Sequence, residues 1–139
     1  ESKESAMTAQ RLLLTEEQRA LINAVRDVAR SMDFRRNSIK YMDGTYPEAN
    51  LKALAKIGVL GMSIPEEYGG TNLRVFETAL VLEEIAKNCY PTAMGVMSQL
   101  GVQARVIAKY APERARLVQE AAPTFDTLGV TSFLYFVTP

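Results

Sequence analysis

Apolar residues recur at helical spacing in one segment of this chain after another, and the connections between the segments are short. The first segment marks its own beginning. Thr15, Glu16, Glu17 and Gln18 fit a capping box, in which the threonine hydroxyl serves one unpaired amide and Gln18 reaches back to another. Leu21, Ile22, Val25, Val28, Ala29 and Met32 follow three and four apart, a stripe that faces a core. Asp33 to Met42, with Phe34, Ile39 and Tyr41, predicts a second helical piece, which Asp43, Gly44 and Thr45 end as a turn. Pro47 suits the first turn of a third helix, where its missing amide hydrogen costs nothing. Leu51, Leu54, Ala55 and Ile57 continue it, and Gly58 stands where a left-handed residue would stop it.

Val59 to Ile64 is apolar and punctuated by glycine, which predicts a buried loop or an extended crossover. It runs into IPEEYGG, residues 64–70. Pro65 fixes its own φ and biases Ile64 towards extended geometry, while Gly69 and Gly70 permit positive φ. The seven residues hold no nucleophile and no flanking base, so they describe a rigid corner between helices. Thr71 or Asn72 can cap the next helix, running to about Lys87 with Phe76, Ala79, Leu80, Glu83 and Ala86 on one side. Asn88 to Pro91 breaks it. A helix from about Thr92 to Tyr110 carries no charge before Arg105, the pattern of a central, buried helix, and Pro112 to Ala122 is a last amphipathic run. Five or six helices with short links and no internal repeat predict an all-α fold.

The 139 residues include 47% hydrophobic and 23% charged side chains, which suits one soluble globular domain. Sixteen basic and sixteen acidic residues cancel, and no basic cluster draws in nucleic acid or an anionic membrane. Histidine is absent and cysteine occurs once, as Cys89, which argues against His-assisted catalysis, a metal centre and a disulfide framework. These features suit a reducing intracellular compartment, the cytoplasm or, in a eukaryote, the mitochondrial matrix. Residues 1–14 read as a flexible leader without a signal-peptide core. Residues 123–139 differ from the rest: Gly129 to Val137 is β-branched and aromatic and reads as a strand with nothing to pair with, as at the start of a sheet.

Several of these residues together resemble the N-terminal helical domain of the FAD-dependent acyl-CoA dehydrogenases. The carriers are Thr15 to Gln18, Tyr46 and Pro47, Gly58 to Gly61, Ile64 to Gly70, and Glu83 to Ala86, in that order and at similar spacing. The resemblance covers about 12–122, giving a domain over 15–122 and a tail, 123–139, at the start of a β-domain absent from the chain. Phe136 to Pro139 looks like the approach to that domain's Thr-Glu-Pro motif without the glutamate, and Tyr110 stands where the family often has glycine.

The resemblance implies a homo-oligomeric flavoenzyme that removes an α-proton and a β-hydride from an acyl-CoA substrate. It also implies that the catalytic glutamate and most contacts to FAD belong to later domains, so that the chain alone performs no dehydrogenation. No catalytic residue is therefore assigned here, no metal is expected, and the cofactor contacts of this segment are left unknown. By motif position the acyl-pocket residues would be Thr92, Ala93, Val96 and Leu100, with Glu84 and Tyr90 nearby. Small and aliphatic walls suit an acyl tail, and Val96 and Leu100 lie one helical turn apart. The plainer alternative is that this stripe is core. Glu83 and Glu84 point about 100° apart on a helix, so they form no facing dyad and one of them faces solvent. A second functional reading remains open: a non-catalytic helical interaction or oligomerisation module derived from the family, associating through apolar surface.

Overall fold

A computed structural model describes residues 14–114, the side chains of 101–104 excepted. The described residues form six α-helices and contain no strand. In chain order the helices are α1 (Glu16–Ser31), α2 (Phe34–Tyr41), α3 (Glu48–Lys56), α4 (Val75–Ala86), α5 (Tyr90–Met97) and α6 (Ala104–Tyr110). Two 3-10 turns, Val59–Gly61 and Glu66–Tyr68, lie between α3 and α4, and a π-helical segment, Ser98–Gln103, joins α5 to α6. The leader up to residue 13 and the strand-like stretch at 129–137 lie outside the described residues, as does most of the run from 112 to 122.

α1 begins as its sequence predicts. Thr15 is extended, its hydroxyl accepts from the Gln18 amide at 3.2 Å, and its own amide donates to Gln18 Oε1 at 3.0 Å. Val25 and Ala29 are buried and Leu21 and Val28 pack against the core, whereas Met32 is more than one-third exposed at the helix end. Asp33 takes a left-handed conformation and starts α2, which buries Phe34 and Tyr41 and leaves Ile39 79% exposed. Pro47 is the N-cap of α3, and Gly58 follows it at φ +81. α3 buries Asn50, Leu51, Leu54 and Ala55.

The 59–64 stretch is a 3-10 turn and a buried loop, with Val59, Leu60, Met62 and Ile64 all inside. IPEEYGG closes on itself: Tyr68 N–H and Gly70 N–H both donate to the Pro65 carbonyl, at 3.0 and 3.2 Å. Gly69 adopts φ +93, and a Cβ on Gly70 would strike the Ile64 carbonyl oxygen and stand 2.6 Å from its carbon. Asn72 N–H then donates to the Ile64 carbonyl at 2.9 Å and Leu73 N–H to that of Met62 at 2.7 Å, so this loop runs back along the apolar one.

These two bonds correct the expected start of the fourth helix. Thr71 and Asn72 do not cap it, because their stretch is held to 62–64; the hydroxyl of Thr71 itself donates to the Met62 carbonyl at 3.2 Å. α4 begins at Val75, and its N-cap Arg74 makes no side-chain capping bond. Of the five residues expected on one side, Leu80 alone departs from the others. Phe76, Ala79, Glu83 and Ala86 point outwards, and Glu77, Thr78, Leu80, Val81, Glu84 and Ile85 are buried. A helix apolar nearly all round gives no periodic signal for its orientation, and its neighbours set it. α1 packs chiefly on α4 and α4 on α5, while α2 and α3 both lean on α5.

The single buried helix expected from 92 to 110 is three pieces with one outward face. α5 starts earlier, at Tyr90, and takes Pro91 into its first turn. Tyr90, Met94 and Met97 are exposed, and Thr92, Ala93 and Val96 are buried. The core thus lies among α1, α2, α3, α4 and α5, with Val25, Phe34, Leu54, Leu60, Ile85 and Val96 fully enclosed.

Candidate functional site

The residues singled out for an acyl pocket do not share one environment. Ala93, Val96 and Leu100 belong to the main core cluster, and Thr92 is fully buried beside them. Thr92 is held by a polar chain that crosses the core. Its hydroxyl accepts from Asn50 Nδ2 at 2.9 Å and donates to Cys89 Sγ at 3.0 Å, and Asn37 Nδ2 donates to Asn50 Oδ1 at 3.0 Å. Its donor is therefore spent within the protein, and its side chain is closed off from solvent. Tyr90 is 64% exposed at the start of α5 and points away from this group.

Glu84 and Glu83 separate as adjacent helix positions must. Glu83 is exposed and pairs with Lys87 one turn on, at 2.8 Å. Glu84 is 5% exposed and receives both arms of Arg26 from α1, Nε on Oε1 at 2.9 Å and Nη2 on Oε2 at 3.0 Å. The carboxylate raises the Arg26 guanidinium above its ordinary value by that hydrogen bonding. A buried charge paired in two places is stabilised as an ion and ties two helices together. In the described residues Glu84 is a clamp between α1 and α4.

A second buried carboxylate stands at the other end of that helix pair. Glu77 Oε1 accepts from Gln18 Nε2 at 2.9 Å and from Arg74 Nη2 at 3.1 Å, and these donors hold its pKa down to about 2. Glu77 faces a cleft of about 350 Å³ whose walls include Leu21, Ile57, Val59, Met62 and Leu73. Its Oε2 is buried without a partner.

The cleft sets the single guanidinium of Arg74 beside the carboxylates of Glu17 and Glu77, so it gathers no cluster of the cations or amide donors that a pyrophosphate needs. The double glycine at 69–70 does not open a cradle either, because the Ile64 backbone fills the space beside Gly70. Among the described residues no group of three His, Cys, Asp or Glu side chains could hold a metal ion, and no helix is long and apolar enough to cross a membrane.

One buried polar group escaped the sequence argument. Gln99 lies in the π-helical segment, 4% exposed, and its Nε2 is buried without a partner. Its signal in the sequence is a glutamine three residues beyond Val96 in a stretch without charge, which a search for charged or nucleophilic side chains passes over.

The order and spacing of these elements match a known family. Residues 15–117 match the family described as acyl-CoA dehydrogenase, N-terminal domain. The chain belongs to that family. The match starts at the capping threonine and runs through all six helices of the described region. Relatives include a cyclohex-1-ene-1-carbonyl-CoA dehydrogenase of Geobacter metallireducens, 34% identical over 106 residues, which are 72% of this chain and 26% of that protein. A 3-sulfinopropanoyl-CoA desulfinase of Advenella mimigardefordensis is 36% identical over 104 residues, 72% of this chain and 25% of that protein. The human mitochondrial short-chain specific acyl-CoA dehydrogenase is 31% identical over 81 residues, 58% of this chain and 20% of that protein. The chain spans about a quarter or less of the length of these curated relatives. What it shares with them is the N-terminal helical domain of the family.

Proposed function

We propose that this chain is the N-terminal, acyl-pocket part of a flavin-dependent acyl-CoA dehydrogenase, the 15–122 domain of a longer polypeptide. The observation that carries this is the family match over 15–117 by a chain that spans only 20% to 26% of three such relatives. The relatives' names share an acyl-CoA thioester and differ in the acyl part, so the thioester is the substrate class and the acyl group is left to the pocket walls. Thr92, Ala93, Val96 and Leu100 are the residues of α5 and the π segment that this reading assigns to those walls; Glu84 and Tyr90, expected nearby, are turned to Arg26 and to solvent. FAD, when bound, supplies the acceptor of the hydride. In this reading most of the cofactor contacts and the catalytic base belong to other parts of the polypeptide, and residues 1–139 alone perform no dehydrogenation. The assembled protein is a homo-oligomer that works inside the cell.

Purification of the full polypeptide with its visible spectrum tests the proposal. The expected result is a flavin absorption band that bleaches on anaerobic addition of an acyl-CoA, and no such band on residues 1–139 alone. A full polypeptide without flavin, or one whose flavin ignores every thioester, would sink it. In that case the interaction module becomes the reading, favoured by the exposed Val75, Phe76, Tyr90, Met94 and Met97.

A further inference from the structure

The cleft beside the start of α1 has no part in the acyl-wall reading. It lies between the first turns of α1, the end of α3 with the 3-10 turn that follows, and the loop that enters α4. Its volume, about 350 Å³, falls within the range of small-molecule sites. Val59 and Met62 line it from the core, and the half-buried Leu21 and Leu73 and the exposed Ile57 stand along it. Its walls are therefore largely aliphatic and open to solvent. Glu77 is the buried charge among them: it is 7% exposed, and its Oε2 has no donor. The carboxyl is ionised at neutral pH, because Gln18 and Arg74 hold it down to about 2. An ionised oxygen without a donor is a cost that a bound donor would remove. Arg74 shows the way in. Its side chain is 80% exposed and lines the same cleft, and its Nη2 bonds Glu77 Oε1 at 3.1 Å, so a cation reaches this carboxylate from the solvent side.

We propose that this cleft binds a small aliphatic amine, its ammonium on the Glu77 carboxylate and its alkyl stem along Leu21, Ile57 and Leu73. The head takes the place of the Arg74 guanidinium, which an exposed ion pair holds only weakly. An ammonium is compact and carries three donors, enough for Oε1 and, with a turn of the carboxylate, for the oxygen that has none. Charge selects the amine. Glu17 lines the cleft with Glu77, and two carboxylates against one guanidinium repel an acid. A neutral alcohol of the same length would cover the aliphatic walls and leave the carboxylate uncompensated. None of Thr92, Ala93, Val96 and Leu100 lines the cleft, so binding here does not depend on the acyl-wall reading.

The test titrates n-hexylammonium, 1-hexanol and hexanoate into the full polypeptide by calorimetry, with and without an excess of an acyl-CoA. The amine is expected to bind about tenfold more tightly than the alcohol, the acid most weakly, and the thioester to leave that order unchanged. Glu77→Gln is expected to erase the preference for amine over alcohol. Arg74→Gln alters a side chain that stands mostly in solvent, removes the competing guanidinium, and is expected to tighten amine binding severalfold. An amine that does not bind the parent, or binds it no better than the alcohol, overturns the proposal. So does a preference that survives Glu77→Gln, or weaker amine binding in Arg74→Gln. Amine binding abolished by excess acyl-CoA would place the amine in the thioester site, which also overturns it. The parent's own order of affinities is read without any variant, so a Glu77→Gln chain that fails to fold leaves the proposal open to refutation.

Discussion

At the scale of single residues the structure spends its buried polar groups on holding helices to one another. Gln18 is the clearest case: one end of its amide completes the Thr15 cap, and the other donates to Glu77 at 2.9 Å. Glu77 therefore carries a pH dependence. Its carboxyl titrates near 4.5 when free and at about 2 in the fold, so the fold is stabilised above pH 4.5 and loses that contribution as pH falls towards 2. Acid melting curves of Glu77→Gln are expected to be flatter than the parent's between pH 4.5 and 2, and a parallel pair of curves would refute the assignment. Thr92→Val tests the polar chain across the core. It keeps the shape of the side chain, leaves Asn50 Nδ2 only its long 3.8 Å bond to Cys89 Sγ, and is expected to cost about 1–3 kcal/mol in urea denaturation. Asn50→Leu together with Thr92→Val is expected to cost less than the two single costs added, because the Asn50 donor goes with its acceptor and Asn37 Nδ2 keeps its bond to the Met32 carbonyl.

At the scale of elements, the corner and the clamp decide where α4 lies. The corner is closed by backbone bonds around Pro65, and Gly70→Ala forces a methyl against the Ile64 carbonyl. The expected loss is about 3 kcal/mol, read as a lowered urea midpoint; an unchanged midpoint would show that the corner yields freely. The clamp is the Arg26–Glu84 pair, whose arginine remains one-third exposed. Arg26→Met leaves a buried carboxylate with only Lys87 at 3.9 Å and is expected to destabilise by about 2 kcal/mol, less than a fully buried pair would. Adding Glu84→Leu should recover most of that loss, since a well-packed apolar pair replaces the ion pair without stranding a charge. A double variant no better than the single one would point to a role for Glu84 beyond the clamp.

At the scale of the whole molecule the described residues leave large apolar side chains in water on several helices. Val75 and Phe76 open α4, Tyr90, Met94 and Met97 line α5, and Ile39 and Met42 crown α2, with exposures from 40% to 79%. Side chains of this kind mark surface that a partner covers only where they gather into one contiguous patch. The isolated chain is then expected to self-associate with rising concentration in light scattering. A strictly monomeric chain at high concentration would show that these side chains need no cover.

The helical class, the capped start of α1, the end of α3 at Gly58 and the rigid corner were legible in the sequence, because each rests on chemistry within a few residues of itself. Thr15 meets Gln18 three positions on, and Gly69 and Gly70 answer a local backbone demand. The family, too, was legible in the combined spacing of short motifs that are each weak alone. The start and facing of α4 were not, since Asn72 and Leu73 give their amides to Ile64 and Met62, and since a helix apolar nearly all round can turn either way until neighbours choose. The same holds for Glu84, whose partner lies 58 residues away, and for Gln99, whose lack of one becomes visible only once everything around it has packed. Sequence alone determined what each segment is, through interactions that cost little chain entropy to form. Tertiary structure decided which polar groups are paired, buried or left over, because those depend on contacts between segments far apart in the chain.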